Sequence, residues 1–197
     1  FLGVEEFLSR PHHRSPAAFA SIVTGSTDGQ LDLERDWTSA WDERQVARLL
    51  EWRYGAAVAP RVAEGLRAER SRRTGRLRAM VRDGQPEFVV GTDGVPRPTF
   101  RGATRLHARL APGRERVVVH EDAVPFVREG RSLFSTFVVQ ADPALVPGAS
   151  ALLVDENDSF LSVGRLLLAP NEMARLSRGV AVRVTAHARS RAPEPEE

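Results

Sequence analysis

Five arginines stand within nine residues, Arg70, Arg72, Arg73, Arg76 and Arg78, around a turn that runs from Ser71 to Gly75. A guanidinium is a planar fork of N–H donors that grips phosphate bidentately and stacks on bases. Strung along a turn, such groups suit contact with a nucleic-acid backbone, with a steep salt dependence. A solvated charged turn is the competing reading, and the run alone does not separate the two. The other residues able to do chemistry point less clearly. His12 and His13 lack acidic partners nearby and read as surface residues rather than metal ligands. Asp155, Glu156 and Asp158 look like a cation-binding run but lack the glycine and closing glutamate of a calcium loop, so a solvated turn is expected. His107, His120 and His187 stand apart from any nucleophile, and no Gly-x-Ser-x-Gly elbow occurs. The chain has no Cys, which excludes disulfides, thiolate zinc sites and cysteine nucleophiles. No catalytic residue, metal or cofactor is assigned.

All 28 basic residues are Arg, which reads as the codon usage of a GC-rich genome. Their distribution is uneven. Between Arg48 and Arg116, 16 arginines face 7 acidic residues. Between Val117 and Val184, 6 arginines face 8 acids. A net charge of +2 therefore hides a basic middle, which points toward a polyanionic partner. Apolar content of 42% and charged content of 27% are those of a folded globular chain. No 18-residue apolar run is present, so no transmembrane helix is expected. The opening FLGVEEFLSR is acidic and unlike a secretory signal, and a cytoplasmic location is expected. The first residue is Phe1 rather than Met, as in a piece of a longer chain.

The elements that would position these residues fall into four stretches. Residues 1–45 read as helical turns and loops: short helices at Val4–Leu8 and Ser15–Phe19, and loop chemistry at Gly25–Gly29. Residues 46–115 read as a basic α/β domain. Its first helix, capped by Asp42, covers Glu43–Tyr54, with Val46, Leu49 and Leu50 at helical spacing. A hairpin pairs Leu77–Arg82 with Glu87–Val90 through Asp83-Gly84, and Thr99–Leu110 reads as a helix. Residues 116–186 alternate short apolar runs with glycine turns, the pattern of a small β barrel. Residues 187–197 form a Pro/Glu-rich tail expected to be disordered. Phe134 and Phe137, three apart, read as core packing rather than base-stacking residues, and Trp37, Trp41 and Trp52 as anchors of the N-terminal helices, one of them able to face a partner subunit. The fold class expected is α+β: a small α/β domain with a hairpin, then a mixed β pseudo-barrel.

The pieces of the last third stand in a fixed order. Gly130 follows a strand and opens a short helix, Arg131 to Phe137; Asp142 and Pro147-Gly148 turn into the strand Ala151–Val154. Asp155–Asp158 makes a hairpin turn, Ser162-Val163-Gly164-Arg165 leads the next strand, Glu172-Met173 sits on a short helix and Arg178-Gly179 begins the last strand. This order resembles the PUA domain of RNA-modification enzymes. Upstream, Trp52-Arg53-Tyr54-Gly55, the Arg70–Arg78 run and Phe100–Leu106 resemble the domain that precedes PUA in archaeal tRNA-guanine transglycosylases, which start the making of archaeosine; the family's Tyr-Gln-Phe-Gly is here Trp-Arg-Tyr-Gly. The likeness covers about Glu51 to Val184. The family's catalytic TIM barrel, with its aspartate nucleophile and cysteine-rich zinc site, has no room in this chain.

The resemblance thus implies the RNA-docking part of such an enzyme, as a domain or a separate subunit with a catalytic partner, and tRNA as the ligand, held by its acceptor stem and 3′ end. It implies that Gly130 lets RNA approach closely, that the helix it opens aims N–H groups at phosphate, and that Arg131 adds a charged contact. Gly148, Gly164 and Arg165 would line the same face, with Arg178 and Gly179 reaching it. The Arg70–Arg78 turn is a second contact. Two alternatives stay open: part of another PUA-bearing RNA-modification enzyme, or a PUA-fold interaction module without RNA binding.

Overall fold

The computed structural model describes the backbone of residues 27–188, with side chains from residue 40 onward. The chain divides into two compact units, Phe1–Gln45 and Val46–Glu197. In the first, residues 27–45 are helical. The readings at Val4–Leu8, His12-His13 and Ser15–Phe19, and nearly all of the 187–197 tail, lie outside the described residues.

Helix α1 spans Thr27–Tyr54 without interruption. This corrects two sequence expectations. Thr27 to Gly29 are helical rather than loop, and Asp42 lies inside the helix rather than capping a new one at Glu43. No proline and no further glycine intervenes between Gln30 and Tyr54, so nothing stops the helix. In the second unit Val46 and Leu50, four apart, are buried at 1% and 0% exposure. Trp41 and Trp52 remain 66% and 69% exposed, so neither anchors its own helix, contrary to the sequence reading.

Gly55, at φ +88°, ends α1, and the short helix α2 (Ala59–Ala63) follows. A four-stranded antiparallel sheet comes next: β1 (Arg67–Arg70), β2 (Leu77–Arg82), β3 (Gln85–Val90) and β4 (Pro96–Pro98), in that spatial order. The Asp83-Gly84 turn joins β2 to β3 with both residues at positive φ, as a tight hairpin requires. Strand β4 begins and ends on proline, which cannot donate to a ladder, and it sits at the sheet edge. Helix α3 (Phe100–His107), capped by the Thr99 side chain accepting from the Gly102 amide, lies on this sheet. A Cβ at Gly102 would stand 1.9 Å from the Glu87 carbonyl oxygen, so only glycine lets α3 approach β3 this closely.

The second sheet has six strands in the order β6-β10-β9-β8-β5-β7. They are β5 (Arg116–Val119), β6 (Leu133–Phe134), β7 (Val138–Ala141), β8 (Ser150–Val154), β9 (Phe160–Leu166) and β10 (Val180–His187). Only β5 and β8 pair in parallel. The two edge strands, β6 and β7, are consecutive in the chain and joined by a single 3₁₀ turn, Ser135–Phe137. That short link brings the edges together and closes the sheet into a pseudo-barrel. Helix α4 (Val124–Arg128) and helix α5 (Pro170–Met173) complete it.

Side-chain parity explains the unbroken apolar run of β8. Ala151 and Leu153 point into the barrel core, beside Val117, Leu161 and Val182. Leu152 points outward into the other core, where Val163 and Ala186 join Val46, Leu50, Met80, Phe88 and Leu106. A strand buried on both faces needs no polar alternation. Full burial of side chains such as Phe88, Met80 and Leu152 stabilises by about 1.5–3 kcal/mol each. The buried Arg116 guanidinium fastens the seam. It donates to Asp158 at 2.6 Å and to the carbonyls of Ala111 and His107 at 2.7 and 3.1 Å. Among the described residues, no helix is long and apolar enough to cross a membrane.

Candidate nucleic-acid interface

Helix α4 ends in a Schellman turn. The Gly130 amide donates to Val127 O at 3.1 Å and the Arg131 amide to Phe126 O at 3.0 Å. Gly130 therefore closes a helix. It neither follows a strand nor opens a helix from Arg131 to Phe137, and that expectation is corrected. The stretch after it is the two-residue strand β6 and a 3₁₀ turn, so no helix N-terminus aims its amides at a ligand there. The glycine is required for two local reasons. Its φ is +89°, and a Cβ would stand 2.7 Å from His187 Cδ2 at the end of β10.

What this edge does present is aromatic and cationic. Phe126 and Phe134 are each 49% exposed. The Arg131 guanidinium lies 5.4 Å from the Phe126 ring centroid, within cation–π range, and its Nε is 3.8 Å from Glu129. Phe137 packs on the barrel core as expected from the sequence, whereas Phe134 turns outward. The reason is a strand in place of the anticipated helix: alternation buries Leu133 and exposes its neighbour. Strand β6 is tied to the start of β10 through the Ser135 amide, which donates to Gly179 O at 2.9 Å. Gly179, at φ +112°, and the exposed Arg178 thus lie beside Phe134.

The remaining barrel residues of the expected site lie one or two strands further in. Arg165 is exposed on β9, with its Nη2 3.7 Å from where a Cβ on Gly148 would be. Gly164 is buried: a Cβ there would meet Val182 Cγ1 at 2.5 Å and Arg183 O at 2.9 Å, so packing accounts for it. The structure therefore groups Gly130 and Arg131 with Arg178 and Gly179 along β6, and Gly148 with Arg165 on β9.

The Arg70–Arg78 run folds as a turn between β1 and β2. Ser71 N donates to Arg76 O at 2.8 Å, Gly75 N to Ser71 O at 2.9 Å, and Arg70 Nη1 to Gly75 O at 3.0 Å. Arg70 thus braces the turn, and Arg78 lies half-buried on β2, while Arg72, Arg73 and Arg76 are exposed.

Several other arginines are engaged within the fold. The Glu87 carboxylate, 0% exposed, accepts from Arg82 Nε at 3.0 Å and Arg105 Nε at 2.7 Å, with Arg101 Nε at 3.5 Å. Arg53 forms a fork with Glu115 at 2.7 and 2.6 Å. Burial alone would lower the Arg53 pKa, but the Glu115 hydrogen bonds override it and raise it. Next to it, burial raises the Tyr54 phenol. The Asp155–Asp158 turn is closed from within: Asp155 Oδ1 accepts from the amides of Asn157 and Ser159 at 3.0 and 2.8 Å. Those donors outweigh the burial that opposes them and hold the Asp155 carboxyl below its ordinary range. A shallow cavity of about 170 Å³ beside this turn is lined by Asp142, Asp155, Glu156 and Asp158 against Arg116 alone, which disfavours phosphate there.

Sequence reasoning missed Phe126 and Glu87, and read Phe134 as core packing rather than as an outward-facing aromatic. Phe134 was legible from strand alternation had β6 been recognised. Glu87 gave no signal, since an acid in a strand reads as solvent-facing.

Comparison with known proteins agrees with this architecture. The PUA domain family matches residues 115–188. A tRNA-guanine(15) transglycosylase of Methanococcus vannielii is 35% identical over 144 residues, covering 73% of this chain and 22% of that enzyme. The chain thus spans about 22–28% of the length of such relatives. Two solved structures share the fold. A hypothetical protein from Pyrococcus horikoshii OT3 superposes with a TM-score of 0.61 at 24% identity, over 77% of this chain and 93% of that one. A conserved PUA domain protein from Thermoplasma acidophilum gives 0.55 at 23% identity, over 75% and 91%. This chain is a PUA-domain protein, homologous over most of its length to the C-terminal region of tRNA-guanine transglycosylases.

Proposed function

We propose that this chain is the RNA-docking part of an archaeosine-type tRNA-guanine transglycosylase. It holds the acceptor stem and 3′ end of a tRNA while a catalytic domain or subunit of other sequence modifies the nucleotide. The observation that carries this reading is the barrel edge, where two half-exposed phenylalanines flank Arg131 and the Gly130 turn. Exposed aromatic faces stack on unpaired bases, and a guanidinium beside them takes the phosphate. A tRNA 3′ end is such a single strand. The turn at Arg72, Arg73 and Arg76 gives a second, sequence-independent grip on backbone. The reading includes a cytoplasmic location, where tRNA is met, and no cofactor in this part.

The test is fluorescence anisotropy with an unmodified tRNA transcript across a salt series, beside the same tRNA trimmed of its CCA end. Micromolar or tighter binding that weakens on trimming is expected. Phe134→Ala should weaken the intact tRNA by about 5- to 150-fold, the range of one lost base–aromatic stack, and should abolish the difference between intact and trimmed. Binding indifferent to trimming moves the site to the Arg72–Arg76 turn. No binding at low salt overturns the RNA reading.

A further inference from the structure

On the outer face of the barrel, Arg183 of β10 stands directly opposite Arg165 of β9. Both are exposed, and among the described residues neither side chain has an acidic or hydrogen-bonding partner. Opposed residues of an antiparallel pair place their Cβ atoms about 4.5–5.5 Å apart, and like charges so placed repel. Strand parity fixes their direction: Val182 and Val184 turn inward to the barrel core, so Arg183 turns outward. On the other side of β9, Arg165 pairs with Ser150. Arg165 and Arg183 thus share the outer face of neighbouring strands, with the Arg165 guanidinium extending over Gly148 on the β8 side of β9.

We infer that Arg165 and Arg183 form a clamp for one backbone phosphate of the RNA strand. This rests on the RNA-docking reading above and extends it to a residue outside the expected site. Phe134 also faces outward, on β6, which pairs with β10 from its other side. Strands β6 and β9 are two ladder spacings apart, about 10 Å. A strand whose base stacks on Phe134 can therefore run across β10 and lay a phosphate between the two arginines. Each guanidinium can donate to one of the two non-bridging oxygens of that phosphate, and the anion offsets the repulsion between the two like charges.

The clamp is tested with Arg165→Gln, Arg183→Gln and the double variant, by tRNA anisotropy across a salt series. In parallel, the arginine Nε–H NMR signals are followed as inorganic phosphate is added. Each single variant should weaken binding several-fold and lower the salt slope by about 0.7–0.9. The double variant should be scarcely weaker than the worse single, because both arginines serve one phosphate. The melting temperature should not fall in any variant. Phosphate at millimolar concentration should shift the Arg165 and Arg183 signals together. If tRNA binds and Arg183→Gln changes neither affinity nor slope, the clamp is wrong and the docking reading stands. If tRNA fails to bind but phosphate moves both signals, the docking reading falls and the anion site stands. If phosphate moves neither signal, the clamp is overturned whatever the tRNA does.

Discussion

The arginine-rich α/β unit and the net-acidic barrel use their charges in opposite ways. In the α/β unit most cations are spent on the protein itself. Arg82, Arg101 and Arg105 surround Glu87, Arg53 grips Glu115, and Arg97 grips Asp93; at the seam, Arg116 at the start of β5 is buried against Asp158. In the barrel the acids are the occupied groups. Asp142 accepts the amides of Glu115 and Ala144, Asp155 closes its own turn, and Glu172 caps the Ala169 amide. The barrel's arginines at 165, 178 and 183 are left facing water. Net charge along the sequence therefore misleads about where an anion can bind. What matters is the cation that remains after the fold has used its acids.

The largest effect should come from removing an anchor. Truncating Glu87→Ala leaves three guanidiniums packed around an empty site. Losing one partner of a buried ion pair costs about 3–5 kcal/mol, and the low end applies here because Arg101 and Arg105 are 43% and 39% exposed. The urea midpoint should fall accordingly. Glu87→Gln, which keeps an acceptor and the shape, should lose less. A Glu87→Ala variant as stable as the parent would break the contrast, since the basic unit would then hold free charge after all.

Next comes a paired trial on the same unit. Replacing Arg72, Arg73 and Arg76 together with Gln should change stability by less than about 0.5 kcal/mol, as exposed changes do. The same variant should lower the salt slope of tRNA binding by about 2, at 0.7–0.9 per lost phosphate contact. Arg105→Gln should behave in the reverse manner. It should cost about 1 kcal/mol of stability and leave the slope alone. Equal slopes in the two variants would mean that anchored and free arginines are not distinct classes.

These contrasts bear on what was legible in the sequence. The β2–β3 hairpin announced itself through Asp83-Gly84, and the barrel through its glycine-punctuated apolar runs, because both signals are local. Strand β4 was not legible: its two prolines argue against a ladder, and only its edge position tolerates them. Gly130 was singled out correctly as unusual but given the wrong neighbour, because a Schellman glycine and a helix-opening glycine look alike without the helix before them. Arg183 was invisible for a different reason. Its meaning lies in the register that sets it across from Arg165, 18 residues earlier, and register between strands is not a local property.

The smallest effect should appear at the surface pair of Asp93 and Arg97. Hydrogen bonds from Arg97, helped by the Val95 amide, hold the Asp93 carboxyl down at about 2, against an ordinary 3.8. The folded state thus binds this proton less readily than the unfolded chain does. Its contribution is fully present above about pH 4 and is lost as the pH falls toward 2. The carboxylate is half exposed, so solvent screening keeps the contribution below about 0.5 kcal/mol. Asp93→Asn should therefore lower the denaturation midpoint slightly at pH 6 and match the parent at pH 2. A carboxyl titration by NMR should give a midpoint near 2 that rises with salt. If Asp93 titrates at an ordinary value, this arginine is anchored in geometry only and belongs with the free cations. Burial of the acid, rather than its mere proximity, would then be what takes an arginine out of reach of RNA.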